Sequence, residues 1–152
     1  MMTRRSLLQS ALSAAAIPRD PATDSFAKRI YAHINDLREA RGSPRLIWSP
    51  LLAECATGQS TRKVELRFPG HDDPERGDIA RRLSAAGILW QRCGENLFME
   101  RGWDDPANFA VVFWWYSPGH QENLLNPLYT HTGVGLCQGA DKAWFVTQIF
   151  TL

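Results

Sequence analysis

The chain is poor in cysteine, and the three it has, Cys55, Cys93 and Cys137 in 152 residues, show no CxxC spacing. That excludes a zinc knuckle and a full disulfide framework, because one thiol is left over whatever the pairing. An exported protein could form one bridge, but sequence does not choose among the three pairings, and three small buried hydrophobes is an equal reading. Long apolar runs are also lacking. The stretch from Leu7 to Ile17 is broken by Gln9, Ser10 and Ser13 and falls short of the ~20 residues a spanning helix needs, so no transmembrane segment is expected. Charge of one sign is missing too: 17 basic residues stand against 16 acidic ones, with no basic run longer than pairs such as Arg4-Arg5 and Arg81-Arg82. Such a balance makes no field for a phosphate backbone, and nucleic acid is not an expected partner.

What is present is enough apolar side chain, 44% of residues, to close one core, and too little length for two. One domain over residues 24–152 is expected. Ahead of it, Arg4-Arg5-Ser6-Leu7-Leu8 followed by Ala14-Ala15-Ala16 resembles a twin-arginine (Tat) export signal cut after Ala16. Residues 1–16 are therefore expected to be absent from the mature protein, which places the domain outside the cytoplasm.

Apolar residues Phe26, Ile30, Ile34 and Leu37 recur at helical spacing between Asp24, a plausible N-cap, and Gly42. A short apolar run, Leu46-Ile47-Trp48, precedes Ser49-Pro50, which opens a second helix reaching about Leu66. His71 falls in the polar loop that follows. A short third helix carries Ile79, Leu83 and Ala86 and stops at Gly87. Cys93 to Met99 reads as extended. Asp105-Pro106 opens a helix whose apolar positions are Phe109, Val112, Phe113 and Tyr116, and Ser117-Pro118-Gly119 starts another. Two β-rich runs, 132–138 and 143–151, form a hairpin. Helices first and strands last, without βαβ alternation, predict an α+β fold with helices on a small antiparallel sheet. Trp48, Trp90, Trp114 and Trp144 are expected in the core and Trp103 near a groove.

His71, Glu95 and His120 are the residues placed to carry chemistry, each in a loop or at the start of an element. At the positive end of a helix an imidazolium is disfavoured, so His120 should stay neutral, the form a metal binds. Two neutral imidazoles and a carboxylate suit Zn²⁺ with an open position. Ser117, three residues before His120, is expected to spend its hydroxyl on a backbone N–H as an N-cap. Cys93 beside Glu95 is read as a buried thiol rather than a nucleophile, since nothing nearby supplies an oxyanion hole. His33 reads as a structural or surface imidazole.

Gly94-Glu95-Asn96-Leu97 matches the GENL signature of the CAP, or SCP, superfamily (cysteine-rich secretory, antigen 5 and pathogenesis-related proteins). Trp114-Trp115-Tyr116-Ser117-Pro118-Gly119-His120 followed by Glu122-Asn123-Leu124-Leu125 resembles a block of its bacterial branch, and Gly133-Val134-Gly135 with Thr147-Gln148-Ile149-Phe150 its final strands. Upstream, the segments 32–38 and 46–53 resemble its opening helix and following turn. The resemblance implies a three-layer α-β-α sandwich whose cleft holds two histidines and two glutamates, the histidines binding divalent metal in some members. His71, Glu95 and His120 resemble three of the four. Ser117 stands where many eukaryotic members have the second glutamate, so any Zn²⁺ or other divalent metal on His71, His120 and Glu95 should be weakly held.

The function implied is an exported binding module taking a small ligand, lipid or peptide in a cleft formed by His71, Glu95, Asn96, Ser117 and His120, with no catalytic residue assigned. Sterol and fatty-acid binding occur among eukaryotic relatives, but no lipid-contact segment matches here. The alternative is a metal-dependent peptidase or esterase in which Glu95 activates water.

Overall fold

The structure, a computed structural model, describes residues 20–152. The Tat-like leader, 1–16, lies outside the described residues. Helix α1 spans Pro21–Ala40, and strand β1 is the two-residue Ile47–Trp48. Helices α2 (Pro50–Leu66) and α3 (Ile79–Ala85) follow, then strand β2 (Cys93–Arg101). Helices α4 (Pro106–Trp115) and α5 (Pro118–Leu125) lead into strands β3 (His131–Gln138) and β4 (Ala143–Thr151).

The caps explain most boundaries. Ser49 accepts from Leu52 N and Asp105 from Asn108 N, each ahead of a proline whose fixed φ suits the first helical turn. Helix α1 starts earlier than its apolar stripe suggests: Asp20, not Asp24, is the N-cap, accepting from Ala22 N ahead of Pro21. The reason is that residues 21–25 make a polar first turn beyond the end of the core.

The sheet order is β1-β3-β4-β2. The three long strands pair antiparallel, as expected, and β1 adds a short parallel pairing, Ile47 with His131 and Trp48 with Thr132. Because strand side chains alternate between faces, Val134, Leu136, Trp144, Val146 and Phe150 pack under α1, α4 and α5, with Ile30, Ile34, Ala110 and Trp114. On the other face Ile149 meets Leu52 and Ala56 of α2 and Leu83 of α3. There α2 presses directly on the sheet: a β-carbon at Gly133 or Gly135 would overlap the backbone nitrogen of Ala53 or Thr57. Glycine is required at both positions for that approach.

Helix α4 buries a different face from the one its large side chains suggest. Ala107, Ala110, Val111 and Trp114 face the core, while Val112 and Phe113 are half exposed and Tyr116 is 81% exposed. Ten residues that are apolar on nearly all sides contain no periodic signal of orientation, and the small alanines permit the close contact with α1. Trp114 and Trp144 are buried, whereas Trp48 and Trp90 only lean on the core edge. Trp103 is exposed and rests on Phe109, with ring centroids 4.6 Å apart.

Candidate functional site

Strand β2 lies at one edge of the sheet, and its first residues hold the site. Alternation sends Glu95 to the α2/α3 face and Asn96 to the α4/α5 face, so the strand edge sits between two layers of side chains. From the first layer, the loop after α2 brings in His71, whose Nδ1 is 3.0 Å from Glu95 Oε1. Glu95's other oxygen accepts from Arg82 of α3 at 2.8 Å. The Glu95 and Arg82 side chains are 1% and 3% exposed, so this is a buried ion pair, with His71, half exposed, at its mouth.

Several side chains that sequence reasoning missed hold the His71 loop. Gln59 Nε2 donates to His71 O at 2.9 Å and Lys63 Nζ to Phe68 O at 3.1 Å. Buried Asp73 accepts from Glu75 N and Arg76 N and is clasped by Arg62, whose guanidinium holds its carboxyl far below the usual range. A signal for two of them exists. Continuing the buried stripe Leu52, Ala56 along α2 at helical spacing lands on Gln59 and Lys63, polar residues at core positions that require partners. Arg82, noted in sequence only as half of the short basic pair Arg81-Arg82, shows no such signal.

From the second layer, α5 brings His120, whose Nδ1 is 2.7 Å from Ser117 Oγ. The expectation for Ser117 is thereby corrected: its hydroxyl makes no backbone cap bond, because the ring one turn on occupies it. Asn96 is fully buried, donating to His120 O at 3.1 Å and accepting from Asn123 Nδ2 at 2.9 Å. It braces the cleft from below rather than lining it. Phe113 packs on the His120 ring, centroids 5.6 Å apart. His120 has its pKa lowered, first by burial and then by the nearby His71, which favours the neutral ring. That direction matches the sequence expectation, but these causes differ from the helix-end effect invoked there.

His71, Glu95, Ser117, Gly119, His120 and Asn123 line one open cleft of about 330 Å³. His33 is exposed on α1, and among the described residues the His131 side chain bonds only to the neighbouring Thr130; neither lines the cleft. All three cysteines are free thiols. Burial raises the Cys93 and Cys55 pKa values, the reverse of what a nucleophilic thiolate needs. Among the described residues no three His, Cys, Asp or Glu side chains group as a metal site. With both its oxygens engaged, Glu95 is placed to orient His71. The donor set still fits a cation in a limited way: each imidazole has Nδ1 engaged, which leaves Nε2 of both as the unengaged nitrogens.

A small sheet between helix layers, with this edge cleft, defines an α+β sandwich. The family model of the CAP, or cysteine-rich secretory protein, family matches residues 31–150, and the chain belongs to that family. It is 36% identical over 109 residues to the uncharacterized membrane protein YlbC of Bacillus subtilis, covering 72% of this chain and 31% of that one. An extracellular protein containing an SCP domain from Bacillus anthracis aligns with a TM-score of 0.76 at 29% identity, covering 90% of this chain and 45% of that one. An outer surface protein of Borrelia burgdorferi aligns with a TM-score of 0.77 at 21% identity, over 85% of this chain and 93% of that one. The chain thus spans less than half the length of YlbC and of the B. anthracis protein. No helix among the described residues is long and apolar enough to cross a membrane.

Proposed function

We propose that residues 24–152 act as one extracytoplasmic binding domain whose cleft takes a divalent cation on His71 and His120, beside a small ligand, lipid or peptide. The observation that carries this is the shared arrangement of the two rings. Each Nδ1 is tied to a protein oxygen, Glu95 Oε1 or Ser117 Oγ, so each tautomer that donates there keeps its lone pair on Nε2. A bound Zn²⁺ would supply a Lewis-acidic anchor for an anionic or carbonyl group of the ligand. The chain's own contribution is orientation: Arg82 holds Glu95, Glu95 holds His71, and Asn96 holds the α5 backbone under His120.

Binding is favoured over hydrolysis because Glu95 is not free to act as a base. Its buried oxygens already accept from Arg82 and His71, where a water-activating carboxylate needs an open lone pair in reach of solvent. An extracytoplasmic location is supported by the Tat-like leader and by the extracellular and outer-surface relatives. N-terminal sequencing of protein recovered outside the cytoplasm tests it, a start after Ala16 being the expected result.

Titration calorimetry with Zn²⁺ tests the cleft. The parent is expected to bind one ion weakly at about pH 7.5 and to lose it at about pH 5.5, where protons compete for the same nitrogens. His71→Ala and His120→Ala should each abolish binding, and Glu95→Gln should weaken it by about 10- to 100-fold through loss of ring orientation. Equal binding by either alanine variant and the parent sinks the assignment.

A further inference from the structure

The edge of the sheet opposite the histidine cleft is an unfinished β-ladder. In β3 the odd residues exchange backbone bonds with β4, as the Gly139 N to Ala143 O bond of 2.8 Å continues. By alternation, the N–H and C=O groups of the even residues point away from β4. Strand β1 uses the first of these: Ile47 N donates to Thr130 O and Ser49 N to Thr132 O, both at 2.8 Å. At Pro50 the chain then leaves the edge to become α2. Beyond Thr132, the outward backbone groups of Val134, Leu136 and Gln138 have no partner among the described residues.

These groups form the floor of a groove rather than an open rim. Val134 and Leu136 are buried, and helices from both layers overhang the edge, enclosing a cavity of about 310 Å³. The first turns of α1 form one wall with Asp20 and Asp24, and α2 forms the other with Thr57 and Thr61. Neither aspartate has a cationic partner among the described residues. A row of unpaired donors and acceptors at strand spacing is complementary to another extended backbone, and the acidic wall favours a basic side chain on it.

We infer that this groove binds an extended peptide segment of another polypeptide, carrying a lysine or arginine, as an added strand on β3 that continues the line begun by β1. The site is distinct from the histidine cleft, so each reading stands or fails alone.

The probe is a fluorescein-labelled heptapeptide, Lys-Thr-Val-Thr-Val-Thr-Val, titrated into the full chain by fluorescence anisotropy. Saturable binding is expected. A copy N-methylated at every residue after the lysine keeps side chains and charge but has no amide donors there, and it should bind at least about tenfold more weakly. Asp20→Asn with Asp24→Asn, which retains a capping side chain on α1, should weaken the lysine peptide severalfold. Thr61→Arg, which fills the groove from α2, should abolish binding, while His120→Ala should not change it. No saturable binding, equal binding of the methylated copy, no effect of the paired asparagines or of Thr61→Arg, or loss of binding in His120→Ala each overturns the proposal.

Discussion

The two faces of the sheet mix apolar and polar contact in different proportions. Under α1, α4 and α5 one large apolar cluster dominates, with Ile30, Ile34, Trp114, Val134, Val146 and Phe150, and buried Asn35, Arg38, Asn96 and Gln148 are held beside it by hydrogen bonds. Under α2 and α3 the buried apolar cluster is small, Leu52, Ala56, Leu83 and Ile149, and polar Gln59, Ser60, Lys63, Arg82, Glu95 and Thr147 are buried beside it. The first face gains stability from area removed from water, roughly 25 cal/mol per Å². The second holds its members by directed bonds, such as Ser60 Oγ with Thr147 Oγ1 at 2.9 Å, and by the backbone contact that Gly133 and Gly135 permit. The difference teaches where function can reside. Directed bonds fix Glu95 and hence His71 in orientation, which a slippery apolar contact would not do.

Substitutions on each face separate these contributions. Trp114→Ala should be the most damaging, about 3–5 kcal/mol by chemical denaturation, since the ring is 0% exposed and its Nε1 donates to Leu97 O at 2.8 Å. A denaturation midpoint equal to the parent's would mean the apolar face does not carry the stability. On the polar face, Arg82→Met should cost about 3 kcal/mol, because it strands a buried carboxylate. Adding Glu95→Leu to Arg82→Met should recover much of that loss while leaving zinc binding impaired, which divides folding from site geometry. If the double variant is no more stable than the single, the ion pair is not the cause.

Gly135→Ala is expected to cost about 1–3 kcal/mol, as the methyl forces α2 off the sheet. An unchanged stability would show that α2 yields freely and that the polar face is softer than its bonds suggest. The smallest effect concerns pH. His120 has its pKa lowered in the folded state, so below the unfolded value of about 6.5 the unfolded chain binds more protons, and stability falls as pH drops through that window. Above it the full stability is present. His120→Gln should flatten this part of the stability profile, measured with a chelator present; the same slope in both proteins would assign it elsewhere.

Local chemistry was legible. Ser49-Pro50 and Asp105-Pro106 mark helix starts because a cap and its proline act within one turn, Pro118 marks a third through its fixed φ, and the 131–151 hairpin follows from two β-rich runs and a polar turn. Where local signals are weak, sequence and structure part: the first helix begins at Asp20 rather than Asp24, and α4 buries its alanines rather than Val112 and Phe113. In the site, residue types and family motif pointed to His71, Glu95 and His120, and the structure brings all three to one cleft. The support beneath them was visible only in part: Gln59 and Lys63 fall on the continued apolar stripe of α2, but nothing in Arg82 or Asn123 taken singly differs from a surface residue of the same type.

The sequence by itself determined the order and kind of elements, the family and the three candidate side chains, since caps, periodicity and short motifs depend on neighbours along the chain. Only the tertiary structure decided that Arg82 neutralises Glu95, that Ser117 serves His120 rather than the helix backbone, and that β3 keeps an open edge opposite the cleft. Those outcomes depend on burial and on which strands lie side by side, and the same residue meets a different desolvation cost and finds different partners according to what packs over it.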